Sequence, residues 1–371
     1  MISREEWYRE LAARRAAVWE IVQRQQGDVG LIFGSFGHSE PFRYLTNFVP
    51  VLGDTWAVMR GADDITAVMN FHWQTEEARD LSGIQDWRGE FNAVPTVIEL
   101  LRNAAPSRIA VVGLHRMPVT AYEAIRAALP NATFVDIGAD VAALRRIKSQ
   151  LEIRLLREAG RITDAAFDAI RSELKPGLTE FEVAAKLAYT MQSLGGELSF
   201  EPTVVSGNDR PIMIRRPTDR RLERGDSVMI DIGAMYQGYQ ADAARTYVLG
   251  EPNAQQEKVW ETVRRAYAAS IELCRPGVPA VELHRAAVSV IEGAGHRLIH
   301  RVGHGIGLST SFEWPSLDSE TAPLKAGMTF CIEPGIYVAG AGNMKFEDDV
   351  LITDTAYELL TRSAPDLVVP I

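Results

Sequence analysis

The sequence predicts two domains, an α/β domain followed by an α+β domain that contains an internal repeat. In the first domain, short apolar runs alternate with helical stretches, which is typical of α/β structure. In the second, the order helix, turn, helix, strands occurs twice. Residues 224–233 and 325–335 also match each other, and they place Asp231 and Glu333 at an offset of 102. A repeat that brings an acid to the same point of both copies suggests one site shared between them.

The α/β domain is predicted from the spacing of its apolar residues. An amphipathic helix over 5–26 opens it. The predicted strands are 29–33, 56–59, 65–69, 109–112 and 133–137, and the predicted helices are 94–103 and 120–129. A basic segment at 144–148 precedes a long helical pattern. We therefore place the boundary near residue 147, which gives domains 1–147 and 148–371.

The α+β domain is predicted from helix signals that recur in both copies. A helix is expected over 151–174, and Thr179 and Glu182 have the capping-box spacing that opens a helix reaching about residue 194. The second copy carries helices at about 255–274 and 280–292. A Pro-Gly pair follows the first helix of each copy, at an offset of 100. We read the two copies as halves of one domain.

Composition excludes several classes of partner and compartment. The chain has 371 residues, a net charge of -10 and a pI of about 5.3, which argues against nucleic acid or an anionic membrane as the main partner. Its two cysteines, Cys274 and Cys331, favour a reducing compartment over a disulfide framework. The charged N-terminus has no apolar signal region, and no run reaches the ~18 apolar residues of a membrane span. We expect a cytoplasmic protein.

Asp231 and Asp242 flank a turn and are expected to lie together on one sheet. If Tyr236 and Gln237 form a two-residue hairpin loop, Asp231 faces Asp242 directly. A bulge at Gly238 would instead shift the register by one residue. In either register the two acids repel each other unless a cation lies between them. A solvated acid and a turn cap are the alternative interpretation of this pair.

Glu333, Glu347 and His304 extend the acidic pair into a metal-site pattern. Each glutamate lies beside an apolar strand segment, where a buried carboxylate needs a partner. His304 lies in the segment Gly-His-Gly-Ile-Gly, whose glycines allow the backbone to approach an ion or a substrate closely. Four carboxylates and one imidazole suit Mn²⁺, Co²⁺, Fe²⁺ or Zn²⁺. Salt bridges and loop positions are the alternative for each residue taken alone.

The chain resembles the pita-bread metallohydrolases, the family of methionine aminopeptidases, aminopeptidase P, prolidase and creatinase. The family order is Asp, a ten-residue gap, Asp, His, Glu and Glu. This sequence matches that order at Asp231, Asp242, His304, Glu333 and Glu347. The resemblance covers roughly 150–371 and implies a pita-bread catalytic domain with a pseudo-twofold repeat. The first domain resembles the creatinase-type N-terminal domain of the same proteins.

The resemblance also implies a mechanism, an ion and an assembly. Asp231 would chelate one of two divalent ions, Asp242 and Glu347 would bridge both, and His304 and Glu333 would complete the second. Mn²⁺ is our first choice because the ligand set is rich in oxygen. Glu333 would carry a proton from the nucleophilic water to the leaving nitrogen, and His304 belongs to the same catalytic group. The expected assembly is a homodimer in which the N-terminal domain reaches the neighbour's site.

The segments around the substrate depart from the pattern of the family's proline-directed peptidases. Ile214 stands where the first of two non-ligand histidines is expected. The second histidine position falls near Ser311 or Phe312, before Glu313. Lys345 replaces the arginine usually found two residues before the last glutamate, and lysine lacks the bidentate geometry of arginine.

Further residues are candidates for contact with substrate. Arg215 and Arg216 have the chemistry to bind a carboxylate, with pairing to surface acids as the alternative. Arg43, His72 and Trp73 of the N-terminal domain are candidates for contact across a dimer, with ordinary surface or core positions as the alternative. Ile214, Ser311, Glu313 and Lys345 complete the predicted substrate set.

The predicted activity is hydrolysis of an amide bond in a dipeptide-sized substrate, like that of Xaa-Pro dipeptidases and aminopeptidases. One alternative is a specialised hydrolase of a small non-peptide amide, similar to ectoine hydrolase or creatinase. A lyase acting on a small zwitterion and a non-catalytic binding module are more distant alternatives. Survival of all five ligand positions weighs against the binding module.

Overall fold

The computed structural model describes residues 2–209, 211–309 and 313–370. The chain divides into two compact units, 1–145 and 146–371, which are described separately. In the described parts of the chain, no helix combines the length and the apolar character that crossing a bilayer requires. The fold is an α/β unit of the creatinase N-terminal type followed by a pita-bread unit, as the sequence predicts.

The N-terminal unit is built on one mixed sheet with helices around it. Its helices are α1 Arg4–Arg24, α2 Glu40–Thr46, α3 Thr75–Ser82, α4 Ala93–Ala104, α5 Val119–Ala128 and α6 Gly138–Leu144. Its strands are β1 Val29–Ser35, β2 Asp54–Met59, β3 Ile65–Asn70, β4 Asp86–Glu90, β5 Arg108–Val112 and β6 Thr133–Asp136. The order across the sheet is β4-β3-β2-β1-β5-β6.

The apolar strands predicted from the sequence form the centre of this sheet. β1 pairs with β2 in antiparallel and with β5 in parallel orientation, and all three are almost completely buried. The edge strand β4 escapes prediction because its sequence, Asp-Trp-Arg-Gly-Glu, is polar except for Trp87. An edge position exposes its outer side chains and removes the apolar alternation on which prediction depends.

The C-terminal unit contains two copies of a helix pair followed by strands. Its helices are α7 Gln150–Glu173, α8 Glu180–Ser193, α9 Ala254–Ile271 and α10 Ala280–Gly293. The first-copy strands are β7 Glu197–Leu198, β8 Thr203–Ser206, β9 Ser227–Ile232, β10 Ala234–Tyr236, β11 Tyr239–Gln240 and β12 Ala243–Leu249. Those of the second copy are β13 His304–Gly305, β14 Glu313–Ser316, β15 Thr329–Ile332, β16 Gly335–Val338, β17 Gly342–Lys345, β18 Asp348–Ile352, β19 Tyr357–Leu359 and β20 Val368–Val369.

Paired glycines show that the two copies share backbone geometry as well as sequence. Gly177 and Gly277 have φ values of 93° and 90°, and Gly225 and Gly327 have values of 84° and 85°. The N–H groups of Gly225 and Gly327 donate to the last residue of β12 and of β18, at 2.8 and 2.9 Å. Residues with a Cβ rarely adopt this left-handed conformation, so the glycines hold each copy in the same turn.

The hairpin between β10 and β11 differs from the predicted one. Its loop is Gln237–Gly238, with φ values of 46° and 91°, so Tyr236 pairs with Tyr239. Two left-handed residues in succession are typical of a type I′ hairpin. Asp231 consequently lies opposite Ala244, and the prediction that it faces Asp242 directly is wrong. Because the register differs by two residues, the predicted face of the sheet is retained.

Candidate metal centre and substrate cavity

The five predicted ligands lie at the ends of strands, where both copies of the repeat meet. Asp231 is near the end of β9, Glu333 follows β15, and His304 opens β13. Asp242 and Glu347 immediately precede β12 and β18. All five are at most 8% exposed. Strand ends attached to a buried sheet hold side chains in fixed positions, which suits a preorganised site.

Four of these five residues line a cavity of about 370 Å³ in the C-terminal unit. The described residues that line it are Phe200, Glu201, Thr203, Met213, Ile214, Asp231, Asp242, His300, Arg301, His304, Glu333, Tyr337 and Lys345. Glu347 is completely buried beneath this surface. The cavity thus combines an acidic base with a wall of mixed apolar and polar side chains.

Donor atoms at the base of the cavity have the spacing of a metal site. His304 Nε2 is 3.6 Å from Asp242 Oδ2 and 3.6 Å from Glu333 Oε1. Asp242, His304, Cys331 and Glu347 each offer a donor atom, and these atoms lie within 4.8 Å of one another. Ligand bonds of about 2.0–2.2 Å to a common ion give donor separations of roughly this size. The group therefore fits a divalent ion.

Unsatisfied oxygens support the same conclusion. Glu347 is 0% exposed, yet neither of its carboxylate oxygens has a hydrogen-bond partner of suitable geometry in the described chain. Lys345 Nζ lies 3.0 Å from Oε2 but outside hydrogen-bond geometry, so this buried carboxylate keeps the capacity to bind a metal ion. His304 favours coordination for a second reason, since burial lowers the pKa of its imidazole and keeps a nitrogen lone pair available.

Lys345 is the cation that the structure places among these acids. Its Nζ lies 2.7 Å from Asp231 Oδ2, 2.7 Å from Glu333 Oε2 and 3.0 Å from Glu347 Oε2. The residue ends β17 and is 7% exposed. Sequence reasoning predicted substrate contact for Lys345, whereas its ammonium is engaged with three of the predicted metal ligands.

The single ammonium does not balance the negative charges of the cluster, and the pKa values of its acids shift in different directions. Burial, then Glu333 and Asp231 acting against Lys345, raises the pKa of Glu347 to about 8. Burial, followed by Glu347 and Asp231, also raises the pKa of Asp242 well above its usual range. Burial opposes ionisation of Glu333 too, but Lys345 and two imidazoles outweigh it and lower its pKa to about 2. Glu333 is therefore ionised at neutral pH.

Cys331 faces the same cluster from β15. Its thiol is completely buried, and burial followed by the charge of Glu347 raises the pKa of the thiol well above its usual range. A protonated thiol is a weak ligand, because the thiolate is the form that binds metal. The interpretation of Cys331 as a packing residue is therefore consistent with its environment.

A buried acidic pair behind the ligands fixes their backbone. Asp349 Oδ2 accepts the N–H of Asp242 at 2.9 Å. Asp348 is held by Arg245 at 2.6 Å and by the Tyr267 hydroxyl at 2.8 Å. Both aspartates are nearly inaccessible, so neither is a solvated surface acid. Carboxylates in this position orient metal ligands through the main chain.

His300 is a cavity residue that sequence reasoning missed. Its Nδ1 lies 2.7 Å from the Arg301 carbonyl oxygen, which assigns the proton to Nδ1, and its Nε2 then accepts from the Tyr337 hydroxyl at 3.0 Å. Burial lowers the pKa of the imidazole and keeps it neutral. The sequence does contain a sign of this second histidine, since His300 precedes His304 by four residues.

The predicted substrate residues are distributed over several environments. Ile214 lines the cavity and is 60% exposed. Both terminal nitrogens of Arg215 bond to Glu180, at 2.6 and 2.7 Å, and Arg215 is not part of the cavity wall. Arg216 is exposed and pairs with the cavity residue Glu201 at 3.0 Å.

The remaining members of the predicted set lie elsewhere. Glu313 is buried in β14, and its Oε1 lies close to Gly307. Ser311 and Phe312 lie outside the described residues. Arg43 is in α2, while His72 and Trp73 are exposed in the N-terminal unit, where Trp73 stacks on Phe71 at 4.6 Å. Their predicted contact with a neighbouring subunit stays a prediction.

The two copies of the repeat bring four acids and a histidine together in one buried cluster. This arrangement is typical of a metallohydrolase of the pita-bread class. The model of metallopeptidase family M24 matches residues 154–354, and that of the creatinase/prolidase N-terminal domain matches residues 14–147. The chain therefore belongs to metallopeptidase family M24, a family of hydrolases that use divalent metal ions.

Characterised relatives agree with this assignment. The chain is 39% identical to the Xaa-Pro dipeptidase of Pyrococcus furiosus and 38% identical to that of Pyrococcus horikoshii, each over 229 residues. Each match covers 61% of this chain, and 66% and 65% of the respective relatives. The matched part is therefore slightly under two thirds of those proteins.

Solved structures resemble the fold along nearly its whole length. An Xaa-Pro dipeptidase from Bacillus anthracis has a TM-score of 0.86 at 26% identity, covering 98% of this chain and 100% of that one. The prolidase from Pyrococcus horikoshii OT3 also has a TM-score of 0.86, at 28% identity, with coverage of 96% and 99%.

Proposed function

We propose that this protein hydrolyses the amide bond of a dipeptide-sized substrate of the Xaa-Pro type, using divalent metal ions. The observation that carries the proposal is the cavity of about 370 Å³, whose base presents buried carboxylates and two imidazoles. This volume lies in the range of small-molecule sites, which is roughly 300–1,000 Å³. The Xaa-Pro dipeptidases among the relatives support the choice of substrate.

The proposed ligands are Asp231, Asp242, His304, Glu333 and Glu347, which offer positions for two ions. Mn²⁺ is the first choice because four of the five ligands are carboxylates, and Co²⁺, Zn²⁺ and Fe²⁺ are compatible with the single imidazole. When bound, a divalent ion supplies Lewis acidity that polarises the scissile carbonyl group and acidifies water. His304 contributes a neutral nitrogen donor.

Glu333 is the proposed proton shuttle. Its lowered pKa, about 2, keeps the carboxylate ionised and able to accept a proton from the attacking water. Its two oxygens point to different neighbours, with Oε1 near His304 and Oε2 near Lys345. A carboxylate fixed at both oxygens can return the proton to the leaving nitrogen without a large movement.

The cavity wall offers matching contacts for a dipeptide. Phe200, Met213 and Ile214 form an apolar portion suited to a pyrrolidine ring. The Tyr337 hydroxyl donates to His300 Nε2, and its oxygen can accept a hydrogen bond from the substrate amino group. An apolar wall with a few oriented polar groups is the usual design of a specific small-molecule site.

A small non-peptide amide is the second candidate substrate, and Ile214 is the observation that favours it. A side chain that neither donates nor accepts a proton occupies the wall where the resemblance predicts a histidine. Such a pocket would accept a compact cyclic amide while losing one contact to a peptide. The metal ligands and Glu333 would act in the same way on either substrate.

The wider setting of the enzyme is part of the proposal. We expect a cytoplasmic homodimer in which domain 1–147 contributes Arg43, His72 and Trp73 to the site of the neighbouring catalytic domain, 148–371. Both cysteines are free and buried, which suits a reducing compartment. Light scattering of the purified protein tests the dimer.

The activity is tested by turnover of a mixed pool of compounds, followed by mass spectrometry. The pool contains Xaa-Pro dipeptides, other dipeptides, ectoine and creatine, and the protein is first loaded with Mn²⁺. Cleavage of Xaa-Pro compounds supports the main proposal, whereas cleavage of a small amide alone supports the second. Glu333→Gln is the control that separates this activity from a contaminant, and absence of any turnover contradicts both.

A further inference from the structure

Lys345 meets three metal ligands with the geometry of a bound cation. Its Nζ makes ion-pair contacts with three carboxylates, at 2.7 Å from Asp231 Oδ2, 2.7 Å from Glu333 Oε2 and 3.0 Å from Glu347 Oε2. These are the distances of charge-assisted hydrogen bonds. The lysine has therefore reached the position where one of two divalent ions would share the same oxygens.

The backbone of Lys345 makes this position a built feature of the fold. Its N–H donates to Thr246 Oγ1 at 3.0 Å, and the Thr246 hydroxyl lies 3.0 Å from its carbonyl oxygen. Lys345 also pairs with Gly335 in the register of β16 and β17. The side chain is 9% exposed. The ammonium is consequently directed inward by a fixed strand.

An ion and the ammonium cannot occupy this position together. A divalent ion bound to Asp231 Oδ2 and Glu347 Oε2 would stand about 2.0–2.2 Å from those atoms, within van der Waals contact of Nζ. Repulsion between the two cations in a buried site adds to the steric conflict. Binding at this position therefore requires the Lys345 ammonium to leave its three partners.

The contacts at the second position come from an imidazole and not from an ammonium. Asp242 Oδ2 and Glu333 Oε1 both lie 3.6 Å from His304 Nε2, on the side of Glu333 away from Lys345. Glu333 thus divides its oxygens between the imidazole and the ammonium. An ion can be held by Asp242, His304 and Glu333 while the contacts of Lys345 persist.

Charge balance points the same way. The four carboxylates carry four negative charges, which two divalent ions alone would neutralise. Two ions together with the ammonium would leave an excess positive charge inside the protein, and an unpaired buried charge is costly. One ion and the ammonium together bring three positive charges, so a second ion suits the charge of the cluster only in place of the ammonium.

We propose that Lys345 is an internal cation that replaces the second metal ion, so that one divalent ion binds tightly per chain. The tight ion is held by Asp242, His304 and Glu333, and the second binds weakly because it must displace the ammonium. The inference rests on the metal site of the proposed function. It concerns how many ions bind, and so it can be tested without substrate.

The test counts metal ions in full-length protein stripped with a chelator and titrated with MnCl₂. Calorimetry gives the affinities, and elemental analysis after gel filtration gives the number of ions retained. We expect one tight ion in the wild type and a second that binds at least about 100-fold more weakly. Lys345→Met keeps a long side chain but removes its charge. In this variant the dissociation constants of the two ions should differ by less than about tenfold.

Lys325→Met is the matched control, because Lys325 is an exposed lysine of the same unit. It should leave the wild-type count at one. Two ions of similar affinity in the wild type would overturn the inference whether or not Lys345→Met folds. The inference would also be overturned if the two dissociation constants in a folded Lys345→Met protein differed as much as in the wild type.

The outcomes also separate this inference from the proposed function. One tight ion in a protein that cleaves no amide supports the inference while the proposed substrate fails. Cleavage of Xaa-Pro dipeptides by a protein that binds two equivalent ions supports the function and overturns the inference. Binding of no ion contradicts both.

Discussion

The N–H of Glu347 donates a 3.0 Å hydrogen bond to the carbonyl oxygen of Ala244, and this bond joins the two copies of the repeat at the metal centre. Ala244 in turn lies opposite Asp231 in the register of β9 and β12. Main-chain pairing therefore connects Asp231 to Glu347 through Ala244. The separation of these two ligands is set by main-chain pairing rather than by flexible side chains.

This arrangement explains why a cluster of repelling acids can be retained. Asp231 and Glu347 are held by strands whose apolar residues are packed in separate clusters, one for each copy. The free energy of packing in both copies opposes the electrostatic repulsion, so the ligands stay in place before an ion arrives. A site built this way favours binding of a cation, because little reorganisation accompanies it.

The first prediction concerns the proton shuttle. Glu333→Gln should lower kcat by about 10²–10⁴, the usual contribution of general acid–base catalysis, because the amide cannot accept the proton. Steady-state turnover of the substrate identified in the pool measures the effect. Thermal unfolding should stay near that of the wild type, since glutamine has nearly the same shape. A variant with wild-type kcat would exclude Glu333 from proton transfer.

Asp242→Asn is the companion variant and distinguishes a ligand from a shuttle. Asp242 lies 3.6 Å from His304 Nε2, and Asp349 fixes its main chain. The substitution removes the negative charge of this proposed ligand, so activity and metal affinity should be lost together. Retained manganese is measured after gel filtration. Normal retention without activity would place Asp242 in the chemistry and not in coordination.

Much of the fold and of the metal site can be predicted from the sequence, because the same pattern of residues occurs in both copies of the repeat. Asp231 and Glu333 occupy corresponding points, and Gly225 and Gly327 mark the same turn in both copies. Apolar strands such as β1 and β5 were also predicted, since buried parallel strands appear as continuous runs of aliphatic residues. These features depend on local pattern, which a single sequence displays.

The features that were missed depend on contacts between distant segments. The hairpin loop was placed one residue early because Gln237 adopts a left-handed conformation that its sequence does not announce. The chain order does not show that the Lys345 ammonium reaches Asp231, 114 residues away. Nor does it show the contact between His300 and Tyr337, which are 37 residues apart.

The second prediction concerns two neighbouring arginines with different surroundings. Arg215 pairs with Glu180, whose side chain is completely buried, whereas Arg216 is 84% exposed. Arg215→Ala should lower the free energy of unfolding by about 2–4 kcal/mol, because it strands a buried carboxylate. Arg216→Ala should leave the urea midpoint unchanged.

Kinetics with the same pair tests the earlier expectation of substrate binding. If Arg215 is structural, the KM of its folded variant should stay within about twofold of the wild type. A large rise in KM with an unchanged urea midpoint would instead assign Arg215 to the substrate carboxylate. Arg216→Ala serves as the matched control in the urea measurement.

The third prediction concerns the buried support of the metal ligands. Arg245 is 1% exposed and holds Asp348 at 2.6 Å, while its other nitrogens bond to main-chain carbonyl oxygens. Arg245→Met should lower the free energy of unfolding by about 3–5 kcal/mol, since Asp348 is left buried without its cation. Urea denaturation measures the change.

Arg285→Met is the control for this substitution, because Arg285 forms an exposed pair with Glu282 on α10. Its urea midpoint should match that of the wild type. Equal midpoints for Arg245→Met and the wild type would show that the Asp348 pair contributes no net stability. In that case another interaction must fix the backbone before Glu347.

The fourth prediction follows from the titration of Glu347 in metal-free protein. Its folded pKa is raised from 4.5 to about 8, so the folded state holds a proton that the unfolded chain has already released. The stabilisation is fully present below pH 4.5 and is lost as the pH rises through about 8. Between pH 7 and 8.5 the urea midpoint in chelator should therefore fall.

The histidines and Glu333 titrate outside this window. Burial lowers the pKa values of His300 and His304, so their linkage is confined to pH values near or below their usual 6.5. The lowered pKa of Glu333, about 2, is still further away. Glu347→Gln removes the titrating proton and should flatten the decline. Saturating Mn²⁺ should also flatten or reverse it, because the ion binds the ionised carboxylate and replaces the proton. A midpoint that rises with pH in the chelated wild type would mean that Glu347 is already ionised in the folded protein, and that Lys345 alone neutralises it.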